Sequence, residues 1–138
     1  MNIRFLAHTA DVRMELEGKS LQELYTLAVK GMGEILKKDF CTQSNNFSKN
    51  VTVDIHASDY TNLLIDFLSD VLSISYVEKA IFCSVHILEF SEYNIKAEIK
   101  GSDVKMFDEE IKAVTYHEAN VYKDKEDQIW KTCIIFDI

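Results

Sequence analysis

The segment SLQELYTLAVKGMGEILKK, residues 20–38, sets the architecture, because two independent signals in it agree. Ser20 and Glu23 form a capping box: the serine oxygen and the carboxylate three residues on can satisfy amides left without partners at a helix start. Leu21, Leu24, Tyr25, Ala28, Met32, Ile35 and Leu36 then recur at three- and four-residue spacing, the stripe of an amphipathic helix ending near Lys38. Such a stripe must be laid on another element. The flanking sequence offers strands.

Residues 3–8 and 13–17 read as short strands, the second alternating Met14 and Leu16 with Arg13, Glu15 and Glu17. Residues 39–50 are polar and read as a surface loop. Residues 51–56 alternate Val51, Val53 and Ile55 with polar partners. Ser58 or Asp59 caps a second helix carrying Leu63, Leu64, Phe67, Leu68, Val71 and Leu72. From Ala80 the pattern turns to strands, at 81–90 and 95–100 around a tight SEYN turn, with a polar connection over 101–110. A last hairpin, 113–122 with 129–136, closes around KDKEDQ. The expected class is α+β: one domain spanning 1–138, an antiparallel sheet or two small sheets with both helices packed on it.

At 138 residues the chain is long enough to bury a core without staples, and 47% hydrophobic with 28% charged residues is an ordinary globular balance. No apolar run reaches the roughly 20 residues of a membrane helix. The start, MNIRFLAHTAD, lacks the pattern of a secretory signal, so a cytoplasmic protein without membrane contact is expected. Cys41, Cys83 and Cys133 are widely spaced, lack zinc-site spacing, and read as three reduced thiols. The net charge is −8, and the basic stripe of a protein that grips nucleic acid directly does not appear; any link to RNA would pass through a protein partner.

Two acidic ends stand out. FLAHTADV, residues 5–12, carries Asp11 where a strand ends, and IIFDI, residues 134–138, ends on Asp137 and Ile138. If the first and last strands meet, Asp11, Asp137 and the Ile138 carboxylate converge. Three anions together repel unless a cation sits between them, and oxygen-only donors suit calcium or magnesium. The same residues also read as a turn aspartate and a solvated terminus.

HTAD, the capped helix SLQELYTLAVKGM, LLIDFLSDVL, IKAVTYH and the terminal FDI together resemble the archease family, in order, over nearly the whole chain. The resemblance implies a small, non-catalytic activator of the RNA-splicing ligase that joins cyclic-phosphate or 3′-phosphate ends to 5′-hydroxyl ends. It would help the ligase form its histidine–guanylate intermediate and turn over repeatedly. It also implies a divalent metal on Asp11, Asp137 and Ile138. The chain departs from the family's usual pattern at Ala7, normally an acid, and at Arg13, normally a glycine. Phe67, Ser69 and Asp70 stand where a Trp and an Asn-Glu pair are usual. Arg13 adds a cation near the acids, able to stand in part for a metal at low ion concentration.

Among other polar residues, His8 reads as a partner of Asp11 or a turn cap. His117 reads as a sheet histidine or an acid-orienting group, and Lys112 as an interface residue beside the acids of 108–110. His56 and His86 have no ligand spacing. Trp130, Phe82, Phe90 and Phe136 read as core, and Asp124, Glu126 and Asp127 as solvated residues of a hairpin tip. No nucleophile with an adjacent base and no phosphate-cradling glycine loop is visible, so no catalytic residue is assigned. The alternatives are a stand-alone divalent-metal-dependent hydrolase and a general chaperone-like binding protein.

Overall fold

A computed structural model describes residues 2–7, 11–43 and 46–138. The chain runs β1 (Asn2–Ala7), β2 (Asp11–Gly18), α1 (Leu21–Leu36), α2 (Phe40–Gln43), β3 (Lys49–His56), α3 (Tyr60–Glu78), β4 (Ala80–Phe90), β5 (Asn94–Asp103), β6 (Ala113–Thr115), β7 (Tyr122–Lys123) and β8 (Trp130–Asp137). One antiparallel sheet has the order β1-β2-β8-β6, with β7 also on β8; the other has the order β3-β5-β4. The α+β expectation of two small sheets with helices packed on them holds.

The capping box forms as read, with small differences in reach. The Glu23 amide donates to Ser20 Oγ at 3.1 Å, and the Glu23 carboxylate accepts from the Lys19 amide at 3.0 Å. Asp59 caps α3, its carboxylate accepting from the Asn62 amide at 2.8 Å.

Two glycines show how α1 is seated. A Cβ on Gly31 would lie 2.3 Å from Met14 Sδ of β2, and one on Gly33 would lie 3.2 Å from Ile81 Cγ2 and 3.3 Å from the Phe82 carbonyl oxygen of β4. Two residues are about 200° apart around a helix. The five-stranded sheet therefore presses one side of α1 and the three-stranded sheet the other. Met14, Leu16, Ile134 and Phe136 line the inner face of the first sheet; Val53, Ile95, Ala97 and Ile99 line the second. α3 packs on β3, β4 and β5 and touches β6, which explains why its apolar arc is broad. Among the described residues, no helix packs on the opposite face of the five-stranded sheet, which bears Asp11, Arg13, Glu15 and Glu17.

Several expectations need correction. Residues 39–50 are not all loop: α2 forms, and β3 starts at Lys49. The 101–110 connection is shorter than read, since β5 continues to Asp103. The cysteines are not three free thiols. Cys41 on α2 and Cys83 on β4 are disulfide-bonded across 42 positions, leaving Cys133 free, half-buried and with its thiol pushed up by burial and by nearby Glu15. Asp124 and Asp127 of the last hairpin are not merely solvated. Lys131 Nζ lies 3.0 Å from Asp124 Oδ2 and 2.8 Å from Asp127 Oδ2; the Glu126 amide bond to Asp124 and then Lys131 hold Asp124 below the usual carboxylate range, and Lys131 first holds Asp127 there.

The first arm of that hairpin is also interrupted. β6 and β7 pair with opposite ends of β8, and residues 116–121 leave the sheet between them. Other bonds hold this loop: the Tyr116 hydroxyl donates to the Asp66 carboxylate, and the Val121 amide donates to Thr61 Oγ1 at 2.9 Å. Glu118 turns the loop with a left-handed φ of 56°.

Candidate functional site

The inner apolar face of β2 rules out a one-residue slip against β8, which would turn Met14 and Leu16 out to water. In that register Asp11 stands directly opposite Asp137, at the shared end of the two strands. Opposed residues in an antiparallel pair have Cβ atoms about 5 Å apart, and like charges so placed are destabilising. The two carboxylates thus form a site of concentrated negative charge, with Ile138 next along the chain and half-buried against the core.

Asp11 is held partly inside. Its side chain is 28% exposed, and Oδ1 is buried without a hydrogen-bond partner among the described residues. Among the described residues, the nearest cation is Arg13, two residues along on the same face, whose Nε is 3.9 Å from Oδ1. That is too long for a hydrogen bond. Arg13 Nε is likewise buried and unpaired among the described residues, while its Nη1 bonds Glu118 Oε2 at 2.9 Å.

Lys112 is tied to this end by its backbone, its amide donating to the Asp137 carbonyl at 2.7 Å, while its side chain is exposed. The adjoining acidic segment is also fastened: the Asp108 amide donates to the Leu36 carbonyl at 2.8 Å, and Lys37 Nζ lies 3.2 Å from Asp108 Oδ1. Between this segment and β1 an apolar groove of about 390 Å³ is lined by Phe5, Val12, Glu34, Ile35, Lys38 and Glu109.

His117 is neither buried nor on a strand. β6 ends at Thr115, so the alternation read through residue 117 stops short, and the imidazole is 72% exposed, 3.9 Å from Glu118 Oε1. His8 lies outside the described residues. Among the described residues, no three or more His, Cys, Asp or Glu side chains gather as a metal-holding group. Side chains therefore contribute two acids here, Asp11 and Asp137.

Arg13 and Glu118 are the site residues that sequence reasoning did not join. They are 105 positions apart, and Glu118 reaches β2 only because its loop leaves the hairpin. The one local trace was the cation at Arg13 beside an acid.

A sequence model of the Archease protein family matches residues 4–138. A protein archease of Methanosarcina acetivorans is 30% identical over 97% of this chain and 94% of its own length. An archease-like protein of Drosophila melanogaster is 26% identical over 100% and 91%. In the solution structure of a Methanobacterium thermoautotrophicum protein, the fold superposes with a TM-score of 0.78 at 26% identity, covering 99% of this chain and 98% of that one. The crystal structure of a Thermotoga maritima protein, described as an archease and possible chaperone, shares the fold at a TM-score of 0.63 and 19% identity, over 100% and 98%.

Proposed function

The chain belongs to the archease family, and on that premise we propose that it is a non-catalytic, metal-binding activator of the RNA ligase that joins 3′-phosphate or cyclic-phosphate ends to 5′-hydroxyl ends in tRNA splicing and RNA repair. In this reading it promotes guanylylation of the ligase, and with it multiple turnover, in the cytoplasm. It contacts the ligase rather than RNA. The observation that carries the reading is the direct opposition of Asp11 and Asp137 across β2 and β8.

The donors fit a hard divalent cation, calcium or magnesium. They are oxygens only, and Asp11 Oδ1 is buried without a hydrogen-bond partner among the described residues, so a cation there would answer both the missing bond and the repulsion. Asp11, Asp137 and the Ile138 carboxylate would hold it. When bound, it would supply positive charge that phosphate oxygens can share.

The protein's own part is placement. The β2–β8 ladder fixes the two carboxylates, the Asp137–Lys112 backbone bond ties the acidic segment beside them, and the net charge of −8 favours encounter with a basic, RNA-binding partner. Lys112, exposed at this end, is a partner-facing candidate.

The test is to incubate the purified chain with the ligase, guanosine triphosphate and magnesium, and to measure guanylylated ligase and ligation turnovers. The parent should raise both, and Asp11→Ala and Asp137→Ala should lose most of the effect. Equal activation by the variants would remove the acidic end from the mechanism. Hydrolytic turnover without ligase would favour the hydrolase alternative. Protection of unrelated unfolding proteins would favour a general chaperone-like binder.

A further inference from the structure

The acidic end has its own cation already in place. Arg13 Nε faces Asp11 Oδ1 at 3.9 Å, and both atoms are buried without a hydrogen-bond partner among the described residues. Buried polar groups in folded proteins are overwhelmingly paired, so two facing and complementary orphans mark an interaction that has been held open. The rest of the guanidinium is held elsewhere: its Nη1 is bonded to Glu118 Oε2 at 2.9 Å.

Glu118 is not free to follow. Its loop is anchored to α3 on both sides, through Tyr116 to Asp66 and through Val121 to Thr61, and its backbone is in the left-handed region. Ile135, the cross-strand neighbour of Arg13, is only 3% exposed on the face without a helix. The side chain at position 13 thus sits over an apolar base. It has two acidic partners to choose between, and the anchored one has the shorter contact.

We propose that Arg13 is a built-in competitor for the cation site at Asp11 and Asp137, and that Glu118 restrains it. With Arg13 drawn to Glu118, Asp11 Oδ1 stays available to an incoming divalent ion. With the restraint gone, the guanidinium closes the short gap and neutralises Asp11 itself. The loop of residues 116–121 and the acidic end are then coupled: whatever pulls Glu118 away lowers affinity for the ion, and the ion in turn favours the Arg13–Glu118 pair. This inference rests on the metal-site reading above and concerns its regulation.

Calorimetric titration of calcium chloride alone into the parent, Arg13→Gln, Glu118→Gln and the double variant tests it without any ligase present. Arg13→Gln should bind calcium at least about fivefold more tightly, the low end of coupling between sites. Glu118→Gln should bind several-fold more weakly, and the loss should largely vanish in the Arg13→Gln background. The cycle separates restraint from plain charge, because a through-space effect of Glu118 would persist in both backgrounds. In the nitrogen-15-labelled parent, the Arg13 Nε–H resonance should shift with calcium and saturate together with binding.

Parent binding with affinities unchanged by Arg13→Gln, an equal Glu118→Gln effect in both backgrounds, or an unmoved Arg13 resonance would overturn the competitor while leaving the metal site standing. Absence of calcium binding by every protein in the set would overturn both.

Discussion

Replacing Asp137 by Asn gives the acidic pair an effect whose sign depends on the buffer. The two carboxylates face each other directly, about 5 Å apart at Cβ by the geometry of opposed antiparallel residues. At that separation in a water-like surrounding, their repulsion is at most about 1 kcal/mol. Arg13, 3.9 Å from Asp11, offsets part of it, and the exposure of Asp137 screens more. In chelator, Asp137→Asn should therefore match the parent or exceed it slightly in stability. The Lys112–Asp137 backbone bond survives the substitution, so no other loss is expected.

Calcium reverses the order. A ligand at one hundred times its dissociation constant stabilises the folded state by about 2.7 kcal/mol. For a chain of this length, each kcal/mol moves the unfolding midpoint by about 3 °C. The parent should gain about 8 °C, and the variant, with one of two side-chain ligands gone, less than half of that. Thermal unfolding followed by circular dichroism, in chelator and across a calcium series, reads both arms. A parent midpoint that ignores millimolar calcium, or a variant that rises in step with it, would refute the reasoning.

The Cys41–Cys83 disulfide closes a loop of 42 residues, and the chain-entropy account gives such a crosslink up to about 4 kcal/mol. A Cys41→Ala/Cys83→Ala variant should lower stability in urea by a good part of that, and reductant should destabilise only the parent; indifference to both would refute the crosslink. Tyr25 is fully buried, its hydroxyl donates to the Tyr60 carbonyl, and burial pushes its phenol above the usual value. Because the raised value belongs to the folded state, its contribution is whole below about pH 10, where an unfolded tyrosine ionises, and is lost as pH climbs above that. Tyr25→Phe should cost about 1 kcal/mol at neutral pH through the lost hydrogen bond and flatten the alkaline fall in stability. An unchanged alkaline slope would assign that fall to other groups.

Much of the fold was legible because it is written in local periodicity. The stripe and capping box of α1, the Asp59 cap, and the Met14–Leu16 alternation each report on one element's own backbone and one buried face. The convergence of Asp11 and Asp137 was legible on the condition that the two terminal strands meet; the apolar face fixes which side each residue presents, and the structure supplies the register. The break in the final hairpin was not, because alternation continues through residue 117 whether or not the backbone stays in the sheet. Its departure depends on Asp66 and Thr61, side chains of a distant helix.

The sequence by itself therefore determined the two long helices, most of the strands and which of their faces are apolar, since those depend on residues within a few positions of one another. The tertiary structure alone decided that α1 lies between two sheets, that residue 41 reaches residue 83, and that Glu118 reaches Arg13. Each of these is a meeting of atoms far apart in the chain. Its energy depends on how the whole core closes, and no local pattern carries that information.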